Sequence, residues 1–255
     1  MGKIYLVGAG PGAPDLITLR AARVIEQADV VFHDALVHAD IVALAKNAEK
    51  IAVGKRCGKR STAQRFINKR LVDAACNHAV VVRLKGGDPM LFGRAQEEIG
   101  ALEAAGIAYE VVPGVTAALA ASADIGVSLT RRGLARSVTF ATPRVGTEED
   151  ESDWAPAVVG ADTSVLYMGV GQAHAIARCL LERGMSSTTP VRVVENASLP
   201  EMREFRLTLC ELPHAAAQDI TGPAVIMLGE VFRPAECDSV AAVPQPLFPV
   251  RVRFG

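Results

Sequence analysis

The sequence predicts an α/β protein built as two domains, and three observations carry that reading. At 255 residues the chain exceeds one average domain, so two cores are expected rather than one. Half of its residues are apolar, 22% are charged and only 5% are aromatic, the balance of a compact α/β protein and not of a disordered chain. Short β-rich runs alternate with helical patterns, twice over, which is how sheets assembled from β-α units look in sequence.

Taken in order, residues 4–7, 30–32, 51–53, 80–84 and 109–112 read as strands with helices between them, favouring a largely parallel first sheet. Ser61 and Gln64 have capping-box spacing, and Phe66, Ile67, Leu71, Ala74 and Ala75 follow on one helical face. A further helix begins near Arg94 and stops at Gly106. After Pro113-Gly114 the chain turns small, apolar and Ala-rich over residues 115–124, and a new series opens with a strand at 138–141. The domain junction is placed there, giving an N-terminal α/β domain over 1–115 and a C-terminal one over 116–233. The second series continues with a strand at 164–168, a helix ending at Gly184, a strand at 191–194, the alternation Phe205, Leu207, Leu209 and a strand at 225–228. It predicts a smaller domain with some antiparallel pairing, hence mixed sheets. Residues 234–255, with Pro244, Pro246 and Pro249 and no periodicity, predict a flexible tail.

Composition narrows the function. A formal net charge of -1 gives no global positive field, so no nucleic-acid partner is expected. Cys57, Cys76, Cys179, Cys210 and Cys237 show no C-x-x-C or zinc-like spacing, which predicts reduced thiols in a cytoplasmic compartment. The start of the chain runs directly into an apolar strand without a signal-peptide pattern, and no apolar run nears the roughly 20 residues of a membrane helix. The five histidines never pair at H-x-x-x-H spacing, so no metal site is expected. A G-x-S-x-G elbow is also missing, which leaves serine-hydrolase chemistry without a foothold.

Several motifs remain. Gly8, Gly10 and Ala13 formally satisfy G-x-G-x-x-G/A after the first strand, with Asp34 about 20 residues further on, so a dinucleotide-binding domain competes. Against it, Pro11 and Pro14 remove backbone N–H donors from the loop, and the helix starts late, near Thr18. Gly54-Lys55-Arg56-Cys57-Gly58-Lys59-Arg60 is one residue short of a phosphate loop and has Arg60 where Ser or Thr should hold magnesium. It reads as a solvated basic loop or as a surface for a polyanion. Arg83-Leu84-Lys85-Gly86-Gly87-Asp88-Pro89 leaves a strand through glycines, where a ligand can approach the backbone. The alternative role for Asp88 is that of a simple turn residue.

In this order, L-V-G-A-G-P-G, H-D-A-L-V, V-G-K-R, V-V-R-L-K-G-G-D-P, F-G-R, V-V-P-G-V-T-A and L-T-R-R span residues from about Ile4 to Phe232. This ordered set resembles the tetrapyrrole methylase family, most closely its uroporphyrinogen III C-methyltransferases. The resemblance implies an active site in the cleft between the two domains and S-adenosyl-L-methionine as cofactor, leaving as S-adenosyl-L-homocysteine. It implies a cofactor pocket of Pro11, Gly86, Gly87, Asp88, Leu91, Thr116, Ala117, Met168, Ala197 and Ala224. Asp34 would accept a proton, Lys55 would donate one, and Arg83, Arg94 and Glu97 would lie near substrate. The implied reaction is methylation of uroporphyrinogen III at C2 and C7, through precorrin-1 to precorrin-2, by a cytoplasmic homodimer feeding siroheme or cobalamin biosynthesis. The resemblance includes no fused dehydrogenase/chelatase domain, so the product would pass to another enzyme. A later corrin substrate and a non-catalytic tetrapyrrole carrier are the other readings.

The sequence departs from the family pattern at Phe32-His33-Asp34 (for V-Y-D), at Ala35, at Thr142-Pro143-Arg144 (for T-G-H), at Ala95-Gln96 (for G-G) and at Ala197. These changes touch the shape of the substrate trough and no proposed acid or base. A polycarboxylate substrate also gives meaning to the clustered cations Lys55, Arg56, Lys59, Arg60, Arg83, Arg94, Arg131, Arg132 and Arg144.

Overall fold

The computed structural model describes residues 1–53, 64–143 and 153–234. In chain order the first half carries β1 (Lys3–Gly8), α1 (Leu19–Glu26), β2 (Val30–His33), α2 (Ala39–Ala43), β3 (Glu49–Ala52), α3 (Gln64–Asn77), β4 (Val80–Lys85), α4 (Ala95–Ala104) and β5 (Tyr109–Val112). The second half carries α5 (Ala117–Asp124), β6 (Val138–Ala141), α6 (Ala155–Gly160), β7 (Thr163–Tyr167), α7 (Ala173–Glu182), β8 (Pro190–Glu195), β9 (Arg203–Thr208) and β10 (Ala224–Gly229).

The first five strands form a sheet ordered β3-β2-β4-β1-β5, parallel at every pairing. Side chains alternate across a strand, and here both faces are covered. Ile4, Leu6, Val30, Phe32 and Val81 pack on Ile67 and Leu71 of α3 and on Ile99 and Leu102 of α4. Tyr5, Val7, Val31, Val82 and Leu84 pack on Ala21 and Ile25 of α1 and Ile41 of α2. Burial on both faces is why these strands read as continuous apolar runs.

The remaining strands form a mixed sheet ordered β6-β7-β10-β8-β9. β6 and β7 are parallel, whereas β10 is antiparallel to β7 and β8, and β9 is antiparallel to β8. One face is covered by α6 and α7, through Val158, Ile176 and Leu180 against Leu166, Val193 and Ile226. The other is covered by α5, whose Ala118 and Ala121 allow close approach to Val165, Val194 and Met227. The Ala-rich stretch after Pro113-Gly114 is therefore a helix that packs on the second sheet, and that sheet has as many strands as the first.

Two details differ from the sequence reading. Phe66 lies outside the buried stripe of α3, half-exposed beneath the Arg70 guanidinium. The stripe is Ile67, Leu71, Ala74 and Ala75, and Phe66 sits about 100° round the helix from Ile67. Leu209 does not extend β9, because Thr208 and Glu211 form a capping box that turns the chain into a 3-10 helix over Leu209–Ala217. The Ser61 cap and the tail beyond residue 234 lie outside the described residues. No helix among the described residues is long and apolar enough to cross a membrane.

At the end of β8, Glu195 is buried and accepts from the Thr221 and Gly222 N–H groups and from Arg203. Burial alone would raise its pKa, but the Gly222 N–H, Arg203 and the Thr221 N–H outweigh burial and hold it below its ordinary 4.5. A carboxyl depressed in the folded state contributes stability above its unfolded pKa and loses it as pH falls through the folded value. Glu195→Gln is thus expected to lower the urea midpoint at neutral pH, and the difference from wild type should shrink as pH drops below 4.5. Urea titrations across that range check it.

Candidate active site

The C-terminal ends of parallel strands gather the first half of the site. β1 ends at Gly8, β4 runs into Gly86-Gly87-Asp88, and β5 runs into Pro113-Gly114. Gly10 N–H donates to the Gly87 carbonyl at 3.2 Å and Gly87 N–H to the Gly10 carbonyl at 2.7 Å. Gly114 N–H donates to Asp88 Oδ2 at 2.9 Å, while Asp88 Oδ1 accepts from Met90 N–H at 2.8 Å. Asp88 is therefore the turn residue its sequence allowed, and it also fastens one loop to the next. The glycines are required by closeness: a Cβ on Gly8 would sit 2.6 Å from the Gly114 backbone, and one on Gly114 would collide with the Gly87 carbonyl oxygen. The helix after the first loop begins only at Leu19, behind the Thr18 cap and a 3-10 turn over Pro14–Leu16. A dinucleotide loop needs a helix N-terminus aimed at the pyrophosphate, and this loop is not followed directly by one.

The second sheet presents a matching edge. Met168 follows β7, Asn196 and Ala197 follow β8, and Ala224 opens the antiparallel β10 opposite Glu195. The two edges touch. Tyr167 Oη lies 2.6 Å from Thr116 Oγ1 and accepts from Ala118 N–H at 3.3 Å, and its ring packs on Phe92 with centroids 5.1 Å apart. Burial raises the Tyr167 pKa against the opposing bonds from Thr116 and Ala118, so the phenol stays protonated. Ser198 Oγ accepts from Ala13 N–H at 3.0 Å. Phe92, Arg94, Met168, Asn196 and Ser198 all have left-handed backbone, a conformation rare for non-glycine residues and concentrated at functional sites.

Pro11, Gly86, Gly87, Asp88 and Leu91 thus occupy loops on the first edge, Thr116 and Ala117 form the N-terminus of α5 on the second sheet, and Met168, Ala197 and Ala224 occupy the facing edge. Of the pair expected to handle protons, Asp34 follows β2 and accepts from Arg83 Nη2 at 2.6 Å; Lys55 lies outside the described residues, as do Arg56, Lys59, Arg60 and Arg144. Arg94 and Glu97 are bound to one another, Nε to Oε1 at 2.6 Å and Nη2 to Oε2 at 2.7 Å, on the exposed first turn of α4.

Arg83 and Lys85 alternate with Val82 and Leu84 in β4, so both point inward toward α4. There they meet Glu98, which is fully buried: Arg83 Nε donates to Oε1 at 2.9 Å and Lys85 Nζ to Oε2 at 2.9 Å. Burial disfavours the Arg83 cation, yet Asp34 and Glu98 outweigh it and raise its pKa. Burial and the neighbouring Arg83 charge push the Lys85 ammonium down against the pull of Glu98 and Asp34. Sequence reasoning passed over Glu98 and Tyr167. The signal for Glu98 was a carboxylate inside the apolar stripe Ala95, Ile99, Leu102, facing a strand with two alternating cations. For Tyr167 no local pattern exists, because its partners Phe92 and Thr116 are distant in sequence.

Comparison with known proteins gives a consistent result. The family model described as Tetrapyrrole (Corrin/Porphyrin) Methylases matches residues 3–213. The uroporphyrin-III C-methyl transferase of Thermus thermophilus, solved with S-adenyl homocysteine, is similar at a TM-score of 0.79 and 42% identity, over 90% of this chain and 98% of that one. A cobalamin biosynthetic cobalt precorrin-4 methyltransferase matches at a TM-score of 0.79 and 29% identity, over 91% of this chain and 96% of that one. The siroheme synthase of Azotobacter vinelandii is 44% identical over 235 residues, which are 91% of this chain and 51% of that protein. The siroheme synthase of Psychrobacter sp. (strain PRwf-1) is 42% identical over 233 residues, 91% of this chain and 48% of that protein. The chain spans about half the length of these curated relatives.

Two alanine substitutions separate glycines that hold the site from those that do not. Gly114→Ala should lower stability by at least ~2 kcal/mol, the order expected of overpacking against backbone that cannot give way. Gly100→Ala, on the exposed side of α4 with no atom within 4 Å of the new methyl, should raise stability by about 0.5–1 kcal/mol. Denaturant midpoints of the two variants against wild type check both signs.

Proposed function

The chain belongs to the tetrapyrrole methylase family, and from that premise we propose that it C-methylates uroporphyrinogen III at C2 and C7, giving precorrin-2 through precorrin-1. The observation that carries the proposal is the meeting of two strand-end edges, Phe92 with Tyr167 and Ala13 with Ser198, on a fold whose first sheet also holds the Asp34–Arg83 pair. We read residues 1–115 and 116–233 as the two domains that supply these edges.

The residues suit S-adenosyl-L-methionine. A Cβ on Gly87 would come no nearer than 4.0 Å to any neighbour, and that neighbour is the Thr116 Cα, so the glycine leaves open a slot whose far wall is the start of α5. The α5 N-terminus offers positive dipole to a carboxylate, and Ala117, Ala197 and Ala224 keep the surrounding walls small. When bound there, the cofactor supplies an electrophilic methyl on a sulfonium.

The protein's part is positioning, water exclusion and proton removal. Gly86, Gly87, Asp88 and Leu91 would hold the cofactor from one edge, and Met168, in a left-handed conformation, would line it from the other. Alignment of the accepting carbon accounts for a large share of the rate. Arg94, at the exposed start of α4, and the basic sequence around Lys55 would receive the substrate's carboxylates. Asp34 commits Oδ1 to Arg83, which leaves Oδ2 to accept the proton lost when a pyrrole carbon gains a methyl group. Lys55 is the proposed proton donor.

The test is anaerobic incubation of the chain with uroporphyrinogen III and methyl-labelled S-adenosylmethionine, followed by mass analysis of the tetrapyrrole. Two added methyl groups are expected. Asp34→Asn should reduce turnover about 100-fold or more, the range of a lost general base, with cofactor affinity unchanged. A protein that binds the cofactor and leaves this substrate untouched would move the assignment to a later corrin intermediate.

A further inference from the structure

Resting on the methylation reading above, we infer that Glu98 is a positioning residue: from inside the fold it fixes the Arg83 guanidinium, and through it the orientation of the Asp34 carboxylate. Glu98 is 0% exposed, on the inner stripe of α4. Its Oε1 accepts from Arg83 Nε at 2.9 Å and from Gln64 Nε2 of α3 at 3.1 Å, and its Oε2 accepts from Lys85 Nζ at 2.9 Å. The guanidinium is consequently held at three nitrogens: Nε by Glu98, Nη1 by the Leu84 carbonyl at 3.2 Å, and Nη2 by Asp34 Oδ1 at 2.6 Å. A planar fork fastened at three points has no rotation left, so its last hydrogen bond presents Asp34 in one direction.

Stability does not explain the array. Buried ion pairs replaced together by apolar residues of similar volume often leave a protein equally or more stable, and this sheet face is otherwise built from Ile, Val, Leu and Phe. Two cations and two carboxylates meet there in balance, Arg83 and Lys85 with Glu98 and Asp34. Three of the four side chains are almost entirely buried, whereas the Asp34 side chain is 29% exposed. The array therefore opens to the outside at Asp34, the member that would meet substrate. Glu98 itself touches neither substrate nor cofactor and acts through Arg83.

The experiment is a double-mutant cycle on the full chain with Glu98→Gln, Asp34→Asn and the two combined, reading kcat and KM for uroporphyrinogen III, cofactor affinity and thermal midpoint. Glu98→Gln is expected to lower kcat about ten-fold, with KM and cofactor affinity unchanged, and to cause no further loss once Asp34 is Asn, since residues acting as one unit are non-additive. Should Glu98→Gln fold poorly, the paired change Glu98→Gln with Lys85→Met removes one charge of each sign and should show the same kcat loss and the same dependence on Asp34. An equal loss in the wild-type and Asp34→Asn backgrounds, or a fall in thermal midpoint with kcat intact, would overturn the role of Glu98 alone. Absence of methyl transfer by the wild-type chain would overturn the functional reading together with this one.

Discussion

Backbone meets backbone where β1, β4 and β5 end, and the candidate site depends on that contact. The Gly10–Gly87 hydrogen-bond pair and the Gly114–Asp88 bond draw three loops together, and Gly8, Gly87 and Gly114 are close enough to exclude a methyl group at two of the three. Parallel strands bring their C-terminal ends to one edge as a matter of topology. The glycines let the three loops meet at backbone distance. Without them the loops would splay by a side chain's width, and the distance to Tyr167 and Ser198 on the opposite edge would no longer close.

A second constraint runs through β4. A strand central to a sheet covered on both faces is expected to be apolar throughout, yet this one carries Arg83 and Lys85 on its inner face. Glu98 receives both and Asp34 receives the free end of Arg83, which offsets the desolvation of Arg83 and opposes in part that of Lys85. Removing a single partner from such an array leaves an uncompensated buried charge, a loss of about 3–5 kcal/mol. The same strand thus carries the buried charges in its body and, where it runs out, the Gly86-Gly87 turn, so the Arg83–Asp34 pair and the glycine loops share one rigid support.

Much of the fold was legible because burial on both faces writes continuous apolar runs and caps write helix starts. Strand after strand falls within a residue or two of the sequence reading, and α1 starts late, behind Thr18, as read. Phe66 and Leu209 were misassigned for local reasons: one residue of helical rotation in the first case, and a capping box interrupting an alternation in the second. The site was legible only in part. Glycine loops at strand ends announce a ligand edge, and the family resemblance supplied names for the residues on both edges. What single-sequence reading could not supply was pairing over distance. Tyr167 meets Thr116 and Phe92, and Ser198 meets Ala13, across separations that no periodicity spans.

The order of the first sheet has a consequence for how the molecule comes into being. β1 pairs with β4 and β5 alone, Lys3 opposite Val80 and Ile4 opposite Tyr109, so both neighbours of the central strand are contributed by chain that follows much later. β2 and β3 can associate early, but the gap between β2 and β1 is filled only when β4 arrives. Contacts of such long sequence separation form slowly, because the intervening loop must close before any of them is rewarded. A nascent fragment ending before Tyr109 lacks both β5 and the Gly114 loop and exposes an unpaired edge of β1. The three glycine loops therefore come together only on completion of the first sheet, and a partly synthesised chain holds apolar strands in need of cover before they meet.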